Sequence, residues 1–351
     1  MTPTIGVADV LARSRQAIHP AIAAAIDRLA PEIRHIATYH MGWTDRSGNP
    51  IEAPGGKGVR PTLAILGAEA AWADPEVGVP GGVALELVHN FSLIHDDIID
   101  SDTERHHRPT VWSVYGVGPA IVAGDALQVL AHQVLLEASP ATGPAASAAL
   151  AEATADMIAG QADDIAFEKR RSVTVEQCTA MSAAKTGALL GCASSIGAIL
   201  AGAPDATVGA LRDYGRHLGL AFQAVDDLLG IWGDPATTGK PAGSDLRQRK
   251  KSMPVVSALA AGGAEAEELR ALILGPEPQP GEEPMPLEPL SADEVDRARY
   301  LVEACGGREW TAVRAKANLD AALGALERVR LSAVPHRDLA DLAVYVVERE
   351  A

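Results

Sequence analysis

Apolar residues recur at three- and four-residue intervals along most of this 351-residue chain, and no run of segments alternates with a period of two. The spacing predicts helices over residues 7–39, interrupted by Pro20 and Pro31, then over 62–72, from about 83 onward, and over 120–138 and 145–167. It continues over 174–201 as one helix or a pair, then 208–229, 252–261, 292–305, 309–330 and 337–348. Glycine, proline and polar residues mark loops at 44–58, 74–82, 140–144 and 230–251. Residues 275–289 concentrate proline and glutamate and predict a mobile surface insert. The expected fold class is all-α, a single domain over 1–351 carrying that insert.

The helix expected from about residue 83 changes character along its length. It starts apolar and ends in charge, ELVHNFSLIHDDIIDSDTERHHRPT. Asp96 and Asp100 lie one helical turn apart on one face, with Ser92 and His89 one and two turns earlier. Leu87, Phe91, Ile94 and Ile98 fall on the opposite side. Carboxylates gathered this way repel unless a cation compensates, and oxygen-only donors favour Mg²⁺ over zinc. Asp96, Asp97 and Asp100 taken alone equally describe a solvated helix end. A second helix repeats the device: Gln223, Asp226 and Asp227 stand at helical spacing in AFQAVDDLLG, and Asp245 follows in a loop. Two such helices facing each other would line a mouth with carboxylates, and a diphosphate is a ligand able to share their metals.

Cations accompany the acids. Lys57 and Arg60 follow Gly55-Gly56, Arg105 and Arg108 follow the first acidic cluster, and Lys185-Thr186 interrupts a helix of small and apolar residues. Each alone is as consistent with a solvated surface charge. His95 and His132 read as structural or surface histidines.

Composition narrows the class. Hydrophobic residues make up 47% of the chain but aromatics only 4%, which suits packed alanine- and leucine-rich helices. A net charge of −16 leaves no basic stripe for nucleic acid. Cys178, Cys192 and Cys305 show no metal spacing and suit a reducing compartment. The N-terminal stretch lacks the pattern of a signal peptide, and the longest apolar run, residues 189–200, is too short for a bilayer. The expectation is a soluble cytoplasmic protein with no transmembrane segment.

In order, GGKGVRP, ELVHNFSLIHDDIID, RHHRPT, GDAL, GQADD, KTGALL, FQAVDD and GKPAGSDLRQRKKSMP resemble the trans-isoprenyl diphosphate synthases of the bacterial head-to-tail polyprenyl synthetase family. The resemblance implies a helical bundle around a deep central cavity, an enzyme that condenses isopentenyl diphosphate with an allylic diphosphate, and commonly a homodimer. By the same resemblance, Asp96 and Asp100 bridge two Mg²⁺ ions to the allylic diphosphate and Asp226 holds a third. Asp97, Asp227 and Asp245 stand close by or act through water. Arg105, Lys185 with Thr186, Gln223 and Lys240 grip the allylic diphosphate, while Lys57, Arg60, His89 and the position of His106 serve isopentenyl diphosphate. Phe91 and Ser92, on the turn before Asp96, would limit chain length, and that pattern implies geranylgeranyl diphosphate as product, with farnesyl diphosphate next.

Three positions depart from the family pattern. Gly58 replaces a basic residue, His106 replaces an arginine in what is usually Arg-Arg-Gly, and Gly230 stands where the second acidic motif ends in aspartate. Two alternatives follow. A class I terpene cyclase shares the first acidic motif, but needs no second diphosphate pocket and usually lines its cavity with aromatics, of which this chain has three Phe. A weakly active regulatory subunit of a heteromeric synthase would account for Gly230 and His106.

Overall fold

The computed structural model describes residues 6–51, 58–105, 107–234, 242–276 and 287–348. The chain is all-α, as the spacing predicts. Its first ten α-helices are α1 (Val7–Ile26), α2 (Pro31–His40), α3 (Val59–Ala70), α4 (Pro75–Ile99), α5 (Val111–Tyr115), α6 (Val117–Ala138), α7 (Gly143–Lys169), α8 (Val175–Ser182), α9 (Ala188–Leu200) and α10 (Asp205–Trp232). A π-helical turn, Ala183–Gly187, joins α8 to α9. Further helices are Ser244–Arg247, Met253–Ala260, Ala264–Leu274, Ala292–Ala304, Gly307–Leu326 and Ala333–Val347. Among the described residues the one strand pair is Glu104–Arg105 against Arg108–Pro109, an antiparallel ribbon two residues long.

The chain divides into two compact units, each assembled from three stretches of sequence: 1–154, 189–213 and 325–342 in the first, 155–188, 214–324 and 343–351 in the second. In the first, α3, α4, α6 and α9 enclose a core of Leu63, Leu66, Leu85, Leu87, Ile94, Leu127, Leu135 and Ile196. Glycines set how closely these helices cross. A Cβ at Gly67 would lie 2.5 Å from the Ser194 carbonyl, and one at Gly78 would lie 2.6 Å from that of Ala64. The segment 74–82, expected as a turn, is therefore helix. Asp74 caps it by accepting from the Glu76 amide at 2.9 Å, Pro75 takes the first turn, and Gly78 and Gly81 serve helix packing against α3 and α9.

In the second unit, Ile231, Leu246, Leu269, Val295 and Leu301 form one buried cluster, and Cys178, Val225, Met253 and Val256 belong to another. The helix Ala264–Leu274, which no sequence expectation covered, supplies Leu269 and Ile273 to the first of these clusters. The expected insert lies outside the described residues over 277–286. Its described flanks are held by arginines: Arg171 donates to the carbonyls of Leu274, Gly275 and Pro276, and Arg249 to those of Leu272 and Glu288.

The reading of apolar runs needs one addition. Three helical stretches, Pro75–Ile99, Val117–Ala138 and Val175–Leu200, are long and apolar enough to cross a membrane by length and composition. The sequence hid them because polar and charged residues, Glu86, Asp125 and Lys185 among them, interrupt each apolar run. The most apolar window is 61% buried in the first and 72% buried in the third, against 39% in α6.

Candidate active site

In the first unit, α4 presents its two neighbouring aspartates differently. Asp100 is the exposed C-cap of the helix, and Asp96, one turn back, is part-exposed. Asp97, rotated about 100° from Asp96 by the helical twist, is only 1% exposed. The Arg105 guanidinium bonds to Asp97 Oδ1 at 2.8 Å through Nε, with Nη2 at the same distance. Burial raises the Asp97 carboxyl above the usual carboxylate range, and Arg105 offsets part of that rise. The first and second residues of this Asp-Asp pair thus differ in setting: Asp96 is part-exposed, while Asp97 is buried and fixes an arginine.

Behind α4, helices α2, α3 and α4 gather His40, Arg60, Glu86, His89 and Asn90. Glu86 is the countercharge of Arg60, and burial raises its carboxyl. The Asn90 amide donates to the Glu86 carbonyl at 2.7 Å. Arg60 Nε is buried with no hydrogen-bond partner, a donor left for a ligand to satisfy. Burial drives His89 well below its ordinary value, with Arg60, His40 and Arg105 acting in the same direction. His40 is lowered to about 4, mainly by burial and then by Arg105. Sequence reasoning missed His40, whose place at the end of a short helix carried no motif. Arg108 stacks 4.7 Å from the Tyr39 ring and donates to the Thr44 carbonyl at 3.1 Å. Lys57 and His106 lie outside the described residues.

One departure acquires a backbone reason. Gly58, the N-cap of α3, has φ +68°, a left-handed conformation that glycine adopts without strain. His107, beside the departure at 106, holds φ +60°, a left-handed conformation that costs a non-glycine residue about 1–2 kcal/mol.

The chain-length candidates sit on α4. Phe91 is buried and meets the His95 ring edge-on with centroids 4.9 Å apart. The Ser92 hydroxyl is turned back to the His89 carbonyl at 2.8 Å. His95 bonds to the Ile121 carbonyl at 3.2 Å and His132 to the Ser147 hydroxyl at 2.9 Å, both structural roles as expected.

The second unit repeats this pairing of a more exposed aspartate with a locked one. Asp226 on α10 is exposed, and Asp227 is buried. Asp227 Oδ1 accepts from the Gln223 amide at 2.8 Å and Oδ2 from the Met253 backbone amide at 2.9 Å. Burial nonetheless pushes its carboxyl up to about 7. Thr186 donates to Gln223 Oε1 at 2.8 Å, so a chain of hydrogen bonds runs from Thr186 through Gln223 to Asp227. Gly219 lets α10 approach the π-helical turn closely, since a Cβ there would lie 2.6 Å from the Gly187 Cα. Lys185, on the same turn, pairs with Asp164 at 2.6 Å. Asp164 belongs to the GQADD segment and was not singled out in the sequence. Lys240 lies outside the described residues. Among the described residues, no three His, Cys, Asp or Glu side chains converge to hold a metal by themselves.

The family model described as polyprenyl synthetase matches residues 42–283. The chain belongs to the polyprenyl synthetase family. It is 45% identical over 343 residues to a (2E,6E)-farnesyl diphosphate synthase of Mycobacterium tuberculosis H37Rv, covering 97% of this chain and 93% of that one. A solved polyprenyl synthetase from Streptomyces coelicolor A3(2) superposes with a TM-score of 0.90 at 51% identity, covering 97% of this chain and 99% of that chain. A geranylgeranyl pyrophosphate synthase from Corynebacterium glutamicum, solved with isoprenyl diphosphate and magnesium, has a TM-score of 0.76 at 28% identity, with 98% of each chain covered. The bundle is that of the isoprenoid synthases, and this polyprenyl synthetase is a trans-prenyltransferase. The cyclase alternative falls with that assignment.

Proposed function

We propose that this polyprenyl synthetase is a Mg²⁺-dependent, chain-elongating enzyme that joins isopentenyl diphosphate to an allylic diphosphate and stops at fifteen or twenty carbons. The observation that carries the reading is the repeated Asp-Asp device, a more exposed aspartate beside a locked one, on α4 and again on α10. The donor set fits magnesium: the more exposed groups are hard carboxylate oxygens, and diphosphate oxygens would complete its shell. Asp96 and Asp100 are the proposed ligands on α4 and Asp226 on α10, for three ions in all. When bound, Mg²⁺ supplies Lewis-acid charge to the diphosphate leaving group.

The protein's own groups do the rest. Arg105, held by Asp97, and Lys185, beside Asp164, neutralise the allylic diphosphate, with Thr186 and Gln223 fixing its orientation and Lys240 assisting. The C–O bond breaks and its electron pair leaves with the diphosphate. Arg60 and His89 hold the diphosphate of isopentenyl diphosphate together with Lys57 and His106, while its double bond attacks the allylic cation. The proton lost afterwards passes to the released diphosphate. Asp227 and Asp245 support the metal site from behind.

The farnesyl relative at 45% identity and the geranylgeranyl neighbour frame the product length. Phe91 is the proposed floor beneath the growing chain. Purified protein given Mg²⁺, dimethylallyl diphosphate and isopentenyl diphosphate should release an elongated diphosphate, and chelation should stop it. Activity without any added partner protein also separates this reading from that of a regulatory subunit.

Self-association is part of the proposal. Val122, Val129 and Leu136 recur every seven residues on α6 and are 51%, 58% and 51% exposed, with Val117 and Ile121 beside them. A seam of that spacing suits a second copy of the same helix. The buried windows of the other apolar helices accord with a soluble, cytoplasmic enzyme.

A further inference from the structure

The pocket behind α4 holds several basic side chains, yet most of their charge is already matched. Glu86 stands as countercharge to Arg60, and Asp97 holds Arg105 at 2.8 Å. Burial lowers His40 to about 4 and His89 well below its ordinary value, so both rings are neutral at pH 7. Arg60 Nε still offers a donor with no partner. A diphosphate brings several negative charges, and it is held best by a cation that no carboxylate has claimed.

Arg108 is such a cation. Arg105 and Arg108 are register partners in the short ribbon, and residues directly opposite in an antiparallel pair share one face. Arg108 therefore lies on the face of Arg105, and the charge of both reaches His40. Among the described residues its partners are the Thr44 carbonyl, 3.1 Å from Nη2, and the Tyr39 ring, whose centroid is 4.7 Å from Cζ. Neither carries a charge. Tyr39 is the neighbour of His40 on α2, and Thr44 lies on the stretch leading from α2 towards Arg60, so Arg108 stands on the His40 side of the pocket. Tyr39 is itself firmly fixed. It is 6% exposed, its hydroxyl donates to the Pro109 carbonyl at 2.8 Å, and the Tyr115 ring meets it edge-on with centroids 5.4 Å apart. Its face is a fixed platform for the guanidinium.

We propose that Arg108, seated on the Tyr39 ring, binds the diphosphate of isopentenyl diphosphate. A guanidinium has more donors than the Thr44 carbonyl can accept, so Arg108 has N–H groups left for phosphate oxygens. It adds to the pocket the positive charge that Arg60 and Arg105 have given to carboxylates. Tyr39 acts through Arg108, as a positioning residue. The inference rests on the reading of this pocket as the isopentenyl diphosphate site.

The test compares the parent with Arg108→Gln, Arg108→Lys, Tyr39→Leu and the double variant Tyr39→Leu/Arg108→Gln. Steady-state condensation gives KM for each substrate, and thermal melting without ligand gives stability. Arg108→Gln keeps an amide that can reach the Thr44 carbonyl but loses the charge. It should raise the KM for isopentenyl diphosphate by about 10- to 100-fold, the loss of one hydrogen bond between charged partners. The allylic KM and the melting temperature should barely move. Arg108→Lys keeps the charge without the planar fork and should fall between Arg108→Gln and the parent. Tyr39→Leu should raise the same KM by less, and the double variant should be no worse than Arg108→Gln, since Tyr39 acts through Arg108. A parental isopentenyl diphosphate KM in Arg108→Gln, an equal rise in both KM values, or a rise in the allylic KM alone would each overturn the proposal. If Tyr39→Leu melts early, Arg108→Gln and Arg108→Lys still decide. A parent that condenses nothing defeats the functional reading and this inference together, whereas an active parent with an unmoved Arg108→Gln defeats this inference alone.

Discussion

The two histidines behind α4 give the first test at the level of single residues. His40 is held at about 4 in the folded chain by burial and by Arg105, against about 6.5 when unfolded. Above pH 6.5 both states are neutral and the group costs nothing. As pH falls from 6.5 towards 4, the unfolded chain takes up a proton that the folded chain refuses, so stability drops. Parent protein should therefore lose more of its melting temperature over that window than His40→Gln, and a gap between the two that stays constant from pH 7.5 to 4.5 would contradict this. Phe91 carries a second expectation. With Phe91→Ala, chromatography of the reaction should show longer prenyl diphosphates, and an unchanged distribution removes Phe91 as the floor. Asp96, Asp100 and Asp226 were legible as residues because spacing on a helix decides which side chains share a face. The locking of Asp97 by Arg105 and of Asp227 by Met253 was not, since those partners lie 8 and 26 positions away and follow no local period.

Among elements, the helix crossings carry the most strain-sensitive contacts. A Cβ at Gly197 of α9 would overlap the Ala64 carbonyl and lie 2.6 Å from the Ala68 amide nitrogen of α3, both backbone atoms that cannot swing away. Gly197→Ala should cost at least about 1–3 kcal/mol, the usual range for overpacking, read from chemical denaturation. Gly209→Ala in α10, where nothing lies within 4 Å of the added carbon, should instead be neutral or stabilising by up to about 1 kcal/mol. Equal effects at the two sites would show that propensity rather than packing dominates. The same glycines explain why 74–82 read as a turn: Gly78, Gly81 and Pro80 have turn chemistry in sequence, and only the neighbouring helices reveal close packing as their use. The π-helical turn at Ala183–Gly187 was equally hidden, although Lys185 and Thr186 on it were singled out by their oddity among small apolar neighbours.

For the molecule as a whole, periodicity made the all-α class legible, because alternation was absent along the entire chain. Its division into two units of three segments each was not, since that depends on contacts between stretches far apart in sequence. The exposed seam on α6 predicts a homodimer. Sedimentation equilibrium should give twice the chain mass of 36.5 kDa, and Val129→Asp should shift the population towards monomer. A parent that sediments as a monomer at micromolar concentration would rule the seam out as an interface. The central claim is elongation itself, and labelled isopentenyl diphosphate tests it most directly. With Mg²⁺ and dimethylallyl, geranyl or farnesyl diphosphate as primer, label should enter a fifteen- or twenty-carbon diphosphate and enter nothing when the metal is chelated. Failure to incorporate label from every primer, or a hydrocarbon released from primer alone, would contradict the account.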